Sequence, residues 1–218
     1  MFDSLMKVIA ILAFLAVPVV GAAETAAPSA QQLVTSATDR VMVVVQAAPD
    51  YIDEDPERYY AELLVILDEV VDFSGFAKGV MGTYATKSYY QSLSAEGKAQ
   101  LREHVKSFTQ EMRFGLVRTY GKGLLAFGGS RVEVLPTDAE EEKGNKVSVV
   151  QLIHGDADEP YQIYYQMRRA RSGDWRLRNL IVESINLGQV YRNQFQAAVR
   201  DNNGDLKAVI DNWTPEEI

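Results

Sequence analysis

The sequence predicts an α+β fold, with helices first, a four-stranded antiparallel sheet next and helices again at the end. Three observations predict it. From Leu33 to Tyr120 the apolar residues recur at helical spacing. Between Val132 and Leu177 the period changes to two, in four runs separated by turn signals. From Leu187 to Trp213 the helical spacing returns.

The chain opens with an apolar run, Val8 to Val20, preceded by Lys7 and followed by GAAETAAPSA. A short apolar core with small residues after it reads as a secretory signal peptide over residues 1–23, cleaved near Ala23. The alternative is a retained membrane anchor, for which the run is short. The predicted compartment is therefore outside the cytoplasm. No Cys follows the apolar run, which excludes a lipoprotein anchor. Losing Lys7 and Asp3 together leaves the formal charge of −8 unchanged. A net acidic chain repels phosphate backbones, which argues against nucleic acid as a partner. With no Cys at all, the fold rests on its core, without thiol chemistry or the usual structural zinc.

Residues 24–32 form a flexible lead-in, residues 33–213 one domain and residues 214–218 a tail. Ser29 and Gln32 make a capping box for a first helix carrying Leu33, Ala37, Val41 and Val44. Asp55-Pro56 opens a second, with Tyr60, Leu63, Leu64, Leu67, Val70 and Val71 on one face. Asp72 caps a third, in which Phe73, Phe76, Ala77, Val80, Met81 and Tyr84 share a face. Ser94 caps the longest, lined by Leu101, Val105, Phe108, Met112, Leu116 and Tyr120, and Gly121 to Gly123 end or loosen it.

The strands follow. Val132 and Val134 alternate with charged neighbours, and Val147 and Val149 follow after the acidic turn TDAEEEKGN. Tyr161, Ile163, Tyr165 and Met167 alternate with polar residues, and Trp175 and Leu177 with arginines. A three-residue loop, Arg171-Ser172-Gly173, pairs Met167 with Leu177 and Arg168 with Arg176, with Gly173 at the left-handed position. Asn179 interrupts the alternation and marks a bulge. Leu187, Tyr191, Phe195 and Ala198 begin a helix, DNNGD turns, and Leu206, Val209, Ile210 and Trp213 mark a closing helix.

Reactive constellations are scarce. There is no G-x-S-x-G elbow. His104 and His154 lie in different elements. In GLVRTYGKG five residues stand between Gly115 and Gly121 where a phosphate loop needs four. DNNGDL lacks the Gly and Glu of a calcium loop, and DADEP reads as a solvated turn. Arg168, Arg169, Arg171, Arg176 and Arg178 form the dense basic cluster. Arg168, Arg176 and Arg178 share a sheet face in this register. That face is either simply solvated or a docking surface for an acidic partner or anionic headgroups. The aromatic and Met stripes fit either a packed core or a lined cavity.

Five segments in order, VDFSGFAKGVMGTY, FTQEMRFGLVRTYGKGL, RVEVLP, YQMRRARSGDWRLRNLIVESINLGQVYRNQF and GDLKAVIDNW, resemble the MlaC-type, or toluene-tolerance, family of periplasmic lipid carriers. The resemblance runs from about Leu33 to Trp213. It implies a soluble, monomeric periplasmic carrier of phospholipids between the inner and outer membranes, serving outer-membrane lipid asymmetry. It implies a sheet-and-helix half of NTF2-like form, an added helical half and an apolar pocket between them. The implied partners are phospholipid, an inner-membrane ABC transporter complex with its lipid-binding ring subunit, and an outer-membrane lipoprotein complex. No cofactor or metal is implied.

Physical chemistry explains why such a protein needs no catalytic group. Each exposed acyl CH₂ costs about 0.8 kcal/mol, so a two-chain lipid with roughly thirty of them cannot cross water unaided. The expected sheet wall is Val132, Val134, Val147, Val149, Tyr161, Ile163, Tyr165, Met167, Trp175, Leu177 and Ile181. Tyr191 and Phe195 are expected to cover it from the following helix. Phe73, Phe76, Val80, Met81, Phe108, Met112 and Leu116 are expected opposite. Two other readings stay open: a hydrolase, and a non-catalytic interaction module with a solid core. A large apolar pocket open at one end separates carrier from module.

Overall fold

Caps fix where the helices begin. In the computed structural model, which describes residues 27–155 and 159–215, Ser29 and Gln32 close a reciprocal capping box ahead of α1 (Ala30–Ala47). Residues 30–32 are therefore helical rather than part of a flexible lead-in. The predicted signal peptide, residues 24–26, part of the DADEP turn and residues 216–218 lie outside the described residues. Asp55 caps α2 (Pro56–Val70), Asp72 caps α3 (Phe73–Met81), Thr86 caps α4 (Lys87–Ser92) and Ser94 caps α5 (Ala95–Leu124), each accepting a backbone N–H three residues on. A positive φ of 58° at Gly82 stops α3 before Tyr84, so the apolar stripe expected to reach Tyr84 is divided between α3 and a following 3₁₀ turn.

Gly121 and Gly123 do not end α5, which runs on to Leu124. Gly121 instead permits close packing. A Cβ there would lie 3.1 Å from the Tyr60 ring, and the buried Tyr59 hydroxyl donates to the Gly121 carbonyl at 2.8 Å. Pro215 packs against Gly115 of the same helix in a similar way.

The sheet order is β1-β2-β3-β4-β5, antiparallel throughout, from β1 (Arg131–Val134), β2 (Lys146–His154), β3 (Tyr161–Arg169), β4 (Trp175–Val182) and β5 (Ile185–Asn186). Four strands were expected; the fifth, of two residues, is too short to show a period. Met167 pairs with Leu177 and Arg168 with Arg176. The loop is Arg171-Ser172-Gly173, closed by the Ala170 and Asp174 backbones, with Gly173 at φ 98°. Between β1 and β2 the acidic turn forms the single turn α6 (Ala139–Glu142). Glu142 accepts from the Ala30 and Gln31 N–H groups at the N-terminus of α1 and ties that helix to the sheet.

The bulge has a larger consequence. Gln166 pairs with Asn179 while Met167 pairs with Leu177, so Arg178 is the extra residue. Side-chain parity flips there. Leu180 and Val182 share the inner face with Tyr165 and Ile163, and Ile181 pairs with Tyr164 on the outer face. Beyond the sheet come α7 (Leu187–Asp201) and α8 (Leu206–Asp211). No helix among the described residues is long and apolar enough to cross a membrane.

Among the described residues three apolar clusters form. One joins α3, α5, α7 and α8 around Phe108, Met112, Tyr191 and Phe195. A second packs α1 against the sheet through Ala30, Val34, Val147, Val149, Met167 and Trp175. A third joins α1, α2 and α5 through Val45, Tyr59, Leu63 and Val117.

Candidate functional site

A cavity of about 520 Å³ lies between these clusters. Its floor is the inner sheet face at one end: Ile153 of β2, Tyr161 and Ile163 of β3, and Leu177, Leu180 and Val182 of β4. Its roof is helical. Leu63 and Leu67 of α2, Val71, Phe73 and Phe76 at the start of α3, and Leu116, Tyr120, Gly123 and Leu124 of α5 complete it. A Cβ at Gly123 would meet nothing within 4 Å. The hollow thus opens where α5 withholds a side chain.

The mouth lies past Tyr161 and Ile185, lining residues that are 47% and 42% exposed. Phe127 meets Tyr161 edge-on with centroids 6.3 Å apart. Apolar rings at an exposed rim are suited to a ligand that is greasy at one end and wet at the other.

Few polar groups touch the cavity, and several are engaged. Arg178 pairs with Asp72, the cap of α3. The Asn179 amide donates to Gln166 and Asn186, and its oxygen accepts from the Gly188 N–H. Tyr120 and Tyr191 share a hydroxyl–hydroxyl hydrogen bond of 2.7 Å. Burial first, and that bond second, push the Tyr191 phenol above its ordinary range, so it stays neutral. Among the described residues no group of three or more His, Asp or Glu could hold a metal ion.

Of the residues expected to line a pocket, the structure gathers Phe73, Phe76, Leu116, Tyr161, Ile163 and Leu177 around this cavity. The rest are placed elsewhere. Val80, Met81, Phe108, Met112, Tyr191 and Phe195 fill the helical cluster, because the α3 and α5 faces that carry them turn toward α7 and α8. Val147, Val149, Met167 and Trp175 pack with α1, with Tyr165 and Val134 against them. Val132 pairs with Ile153 in the edge strand without lining the cavity. Ile181 faces outward because of the bulge.

The arginine face is also revised. Arg168 and Arg176 sit opposite each other, but Arg178 occupies the bulge and turns to Asp72. Arg176 donates to the Asp68 and Glu69 carbonyls at the end of α2, a structural task. Arg169 lies 4.4 Å over the Trp175 ring and donates to Glu142 O.

Several lining residues escaped the sequence reading. Leu63, Leu67 and Val71 had a visible helical period but no sign of which partner they face. Leu180 and Val182 follow from the bulge once its parity shift is applied. Phe127 and Ile185 sit in elements too short to carry a period.

The family model described as MlaC protein matches residues 35–215. The toluene tolerance protein ttg2D of Pseudomonas putida is 29% identical over 191 residues, which cover 88% of this chain and 82% of that one. The fold is similar to a solved structure from Ralstonia solanacearum, described as a phospholipid-binding protein in complex with a phospholipid. The TM-score is 0.65 at 20% identity, over 84% of this chain and 94% of that one.

Proposed function

Because the chain belongs to the MlaC family, we propose that it is a periplasmic carrier that holds phospholipid acyl chains in the cavity beneath β3 and β4. It shuttles the lipid between the inner and outer membranes and so maintains outer-membrane lipid asymmetry. The observation that carries this reading is the cavity itself: about 520 Å³, walled by apolar side chains and opening past Tyr161 and Ile185. Small-molecule pockets commonly span about 300–1,000 Å³.

The physical task is differential solvation. Acyl chains leave a bilayer only for surroundings almost as apolar. A headgroup resists burial, because its polar groups would need replacement partners. A cavity greasy within and open at one end meets both demands, with tails inside and headgroup at the mouth. Apolar burial is non-directional, so the protein works as a binder without catalysis. The bound lipid described for the Ralstonia solanacearum protein, which shares the fold, supports the same ligand class.

Partners follow from the family: an inner-membrane ABC transporter complex with its lipid-binding ring subunit, and an outer-membrane lipoprotein complex. The carrier acts as a monomer, and any directional energy enters through the transporter. Organic extraction of the purified protein followed by mass spectrometry tests the ligand. Stoichiometric phospholipid is expected. Repeated recovery of empty protein from membrane-containing cells contradicts the carrier and favours a lipid-free interaction module.

A further inference from the structure

A second concavity lies on the other side of the helical half. Between α3, α4 and the N-terminal half of α5 is an open groove of about 640 Å³. Lys78, Lys87, Arg102 and Lys106 line it, all exposed, and no carboxylate does. None of the four makes an ion pair among the described residues; Arg102 donates to the Tyr90 hydroxyl at 2.8 Å. Between the cations lie Leu101, Val105, Ala85 and the Tyr90 ring, with Ser74, Thr86, Thr109 and Gln110 completing the lining.

This arrangement stands against the charge of the whole. The chain carries a formal −8, yet four cations line this groove and no carboxylate does. Along α5, Arg102 and Lys106 are one turn apart on the groove side. Glu111 projects to the opposite side of α5 from Arg102, and Glu103 lies beside Lys106, three residues before it, without lining the groove. Uncompensated like charge on a surface raises the local potential and costs stability, so a complementary occupant relieves it.

We propose that this groove docks an acidic segment of a partner protein, with its carboxylates on Lys78, Lys87, Arg102 and Lys106 and an apolar side chain against Leu101 and Val105. Two features favour a protein segment over a membrane surface. The cations surround a concavity, which a protruding segment can enter and a flat bilayer cannot. The groove also has an apolar floor, which an anchor side chain can use. Arg102 of the groove and Gly123 of the cavity lining are about 30 Å apart along α5. The inference is independent of what the cavity holds.

The test uses the full-length protein, a short fluorescent peptide of alternating Glu and Leu, and its Lys-for-Glu counterpart. The wild type is expected to bind the acidic peptide and not the basic one, with affinity falling as salt rises. The double variant Lys78→Glu, Lys106→Glu is expected to bind about tenfold more weakly, while its co-purifying phospholipid stays at the wild-type level. Lys143→Glu, a charge change outside the groove, is expected to change nothing. Equal peptide binding by the wild type and the double variant overturns the proposal, as does the absence of salt-sensitive binding. Preferential binding of phosphatidylglycerol vesicles over the peptide also overturns it.

Discussion

The two ends of the inner sheet face carry similar residues and have opposite interiors. At one end Val147, Val149, Met167 and Trp175 pack into one cluster with Ala30 and Val34 of α1. At the other, Ile153, Tyr161, Ile163, Leu180 and Val182 face the cavity. A polar boundary separates them. The buried Gln151 side chain donates to Thr38 at 2.6 Å and accepts from the Tyr165 hydroxyl at 2.8 Å. Strand composition is not what decides between filled and hollow. The cover decides. α1, held by Glu142, lies over the first end; over the second, α5 brings Gly121 against α2 and Gly123 over empty space.

The comparison predicts that the packed end answers in stability and the hollow end in lipid content. The largest effect is expected for Trp175→Ala, which removes a large side chain that is 3% exposed. It should cost about 3–5 kcal/mol in denaturant unfolding, with the folded fraction still carrying lipid. Val149→Trp, at a fully buried position, should cost about 1–3 kcal/mol through overpacking. If it emptied the protein of lipid at unchanged stability, the two ends would have been exchanged.

Changes at the hollow end should read out in extracted phospholipid. Val182→Asp places a carboxylate among the lining residues and should lower lipid occupancy about tenfold, equivalent to about 1.4 kcal/mol. Ile181→Asp, one residue away on the outer face, should leave it unchanged. Equal losses from both variants would refute the parity set by Arg178. Gly123→Trp should also deplete lipid while shifting stability by no more than about 1 kcal/mol, since open space receives the added ring. The smallest effect is expected for Arg168→Gln. It should stay within about 0.5 kcal/mol in thermal unfolding, because among the described residues the exposed Arg168 side chain has no hydrogen-bond or ion-pair partner.

Much of the fold was written locally. The caps Ser29, Asp55, Asp72 and Ser94 begin the helices they signal, and Gly173 fixes the hairpin whose register the alternation of β3 and β4 implies. The cavity was less legible because it is a property of facing surfaces. Tyr165 and Ile163 are two residues apart on one strand face, yet one packs toward α1 and the other lines the hollow. No period distinguishes them. Phe108 and Phe195 illustrate the same limit. Their rings are 4.8 Å apart in the helical core, where an aromatic stripe reads the same as a pocket wall.

The claim that the hollow end, and not the packed end, receives acyl chains is tested most directly by crosslinking. A phospholipid bearing a photoreactive group near its acyl terminus is loaded, irradiated, and its adducts mapped by peptide mass spectrometry. Adducts on Leu124, Leu180 or Val182 are expected. Adducts confined to Val147, Val149 or Met167, or to surface residues alone, would contradict the account.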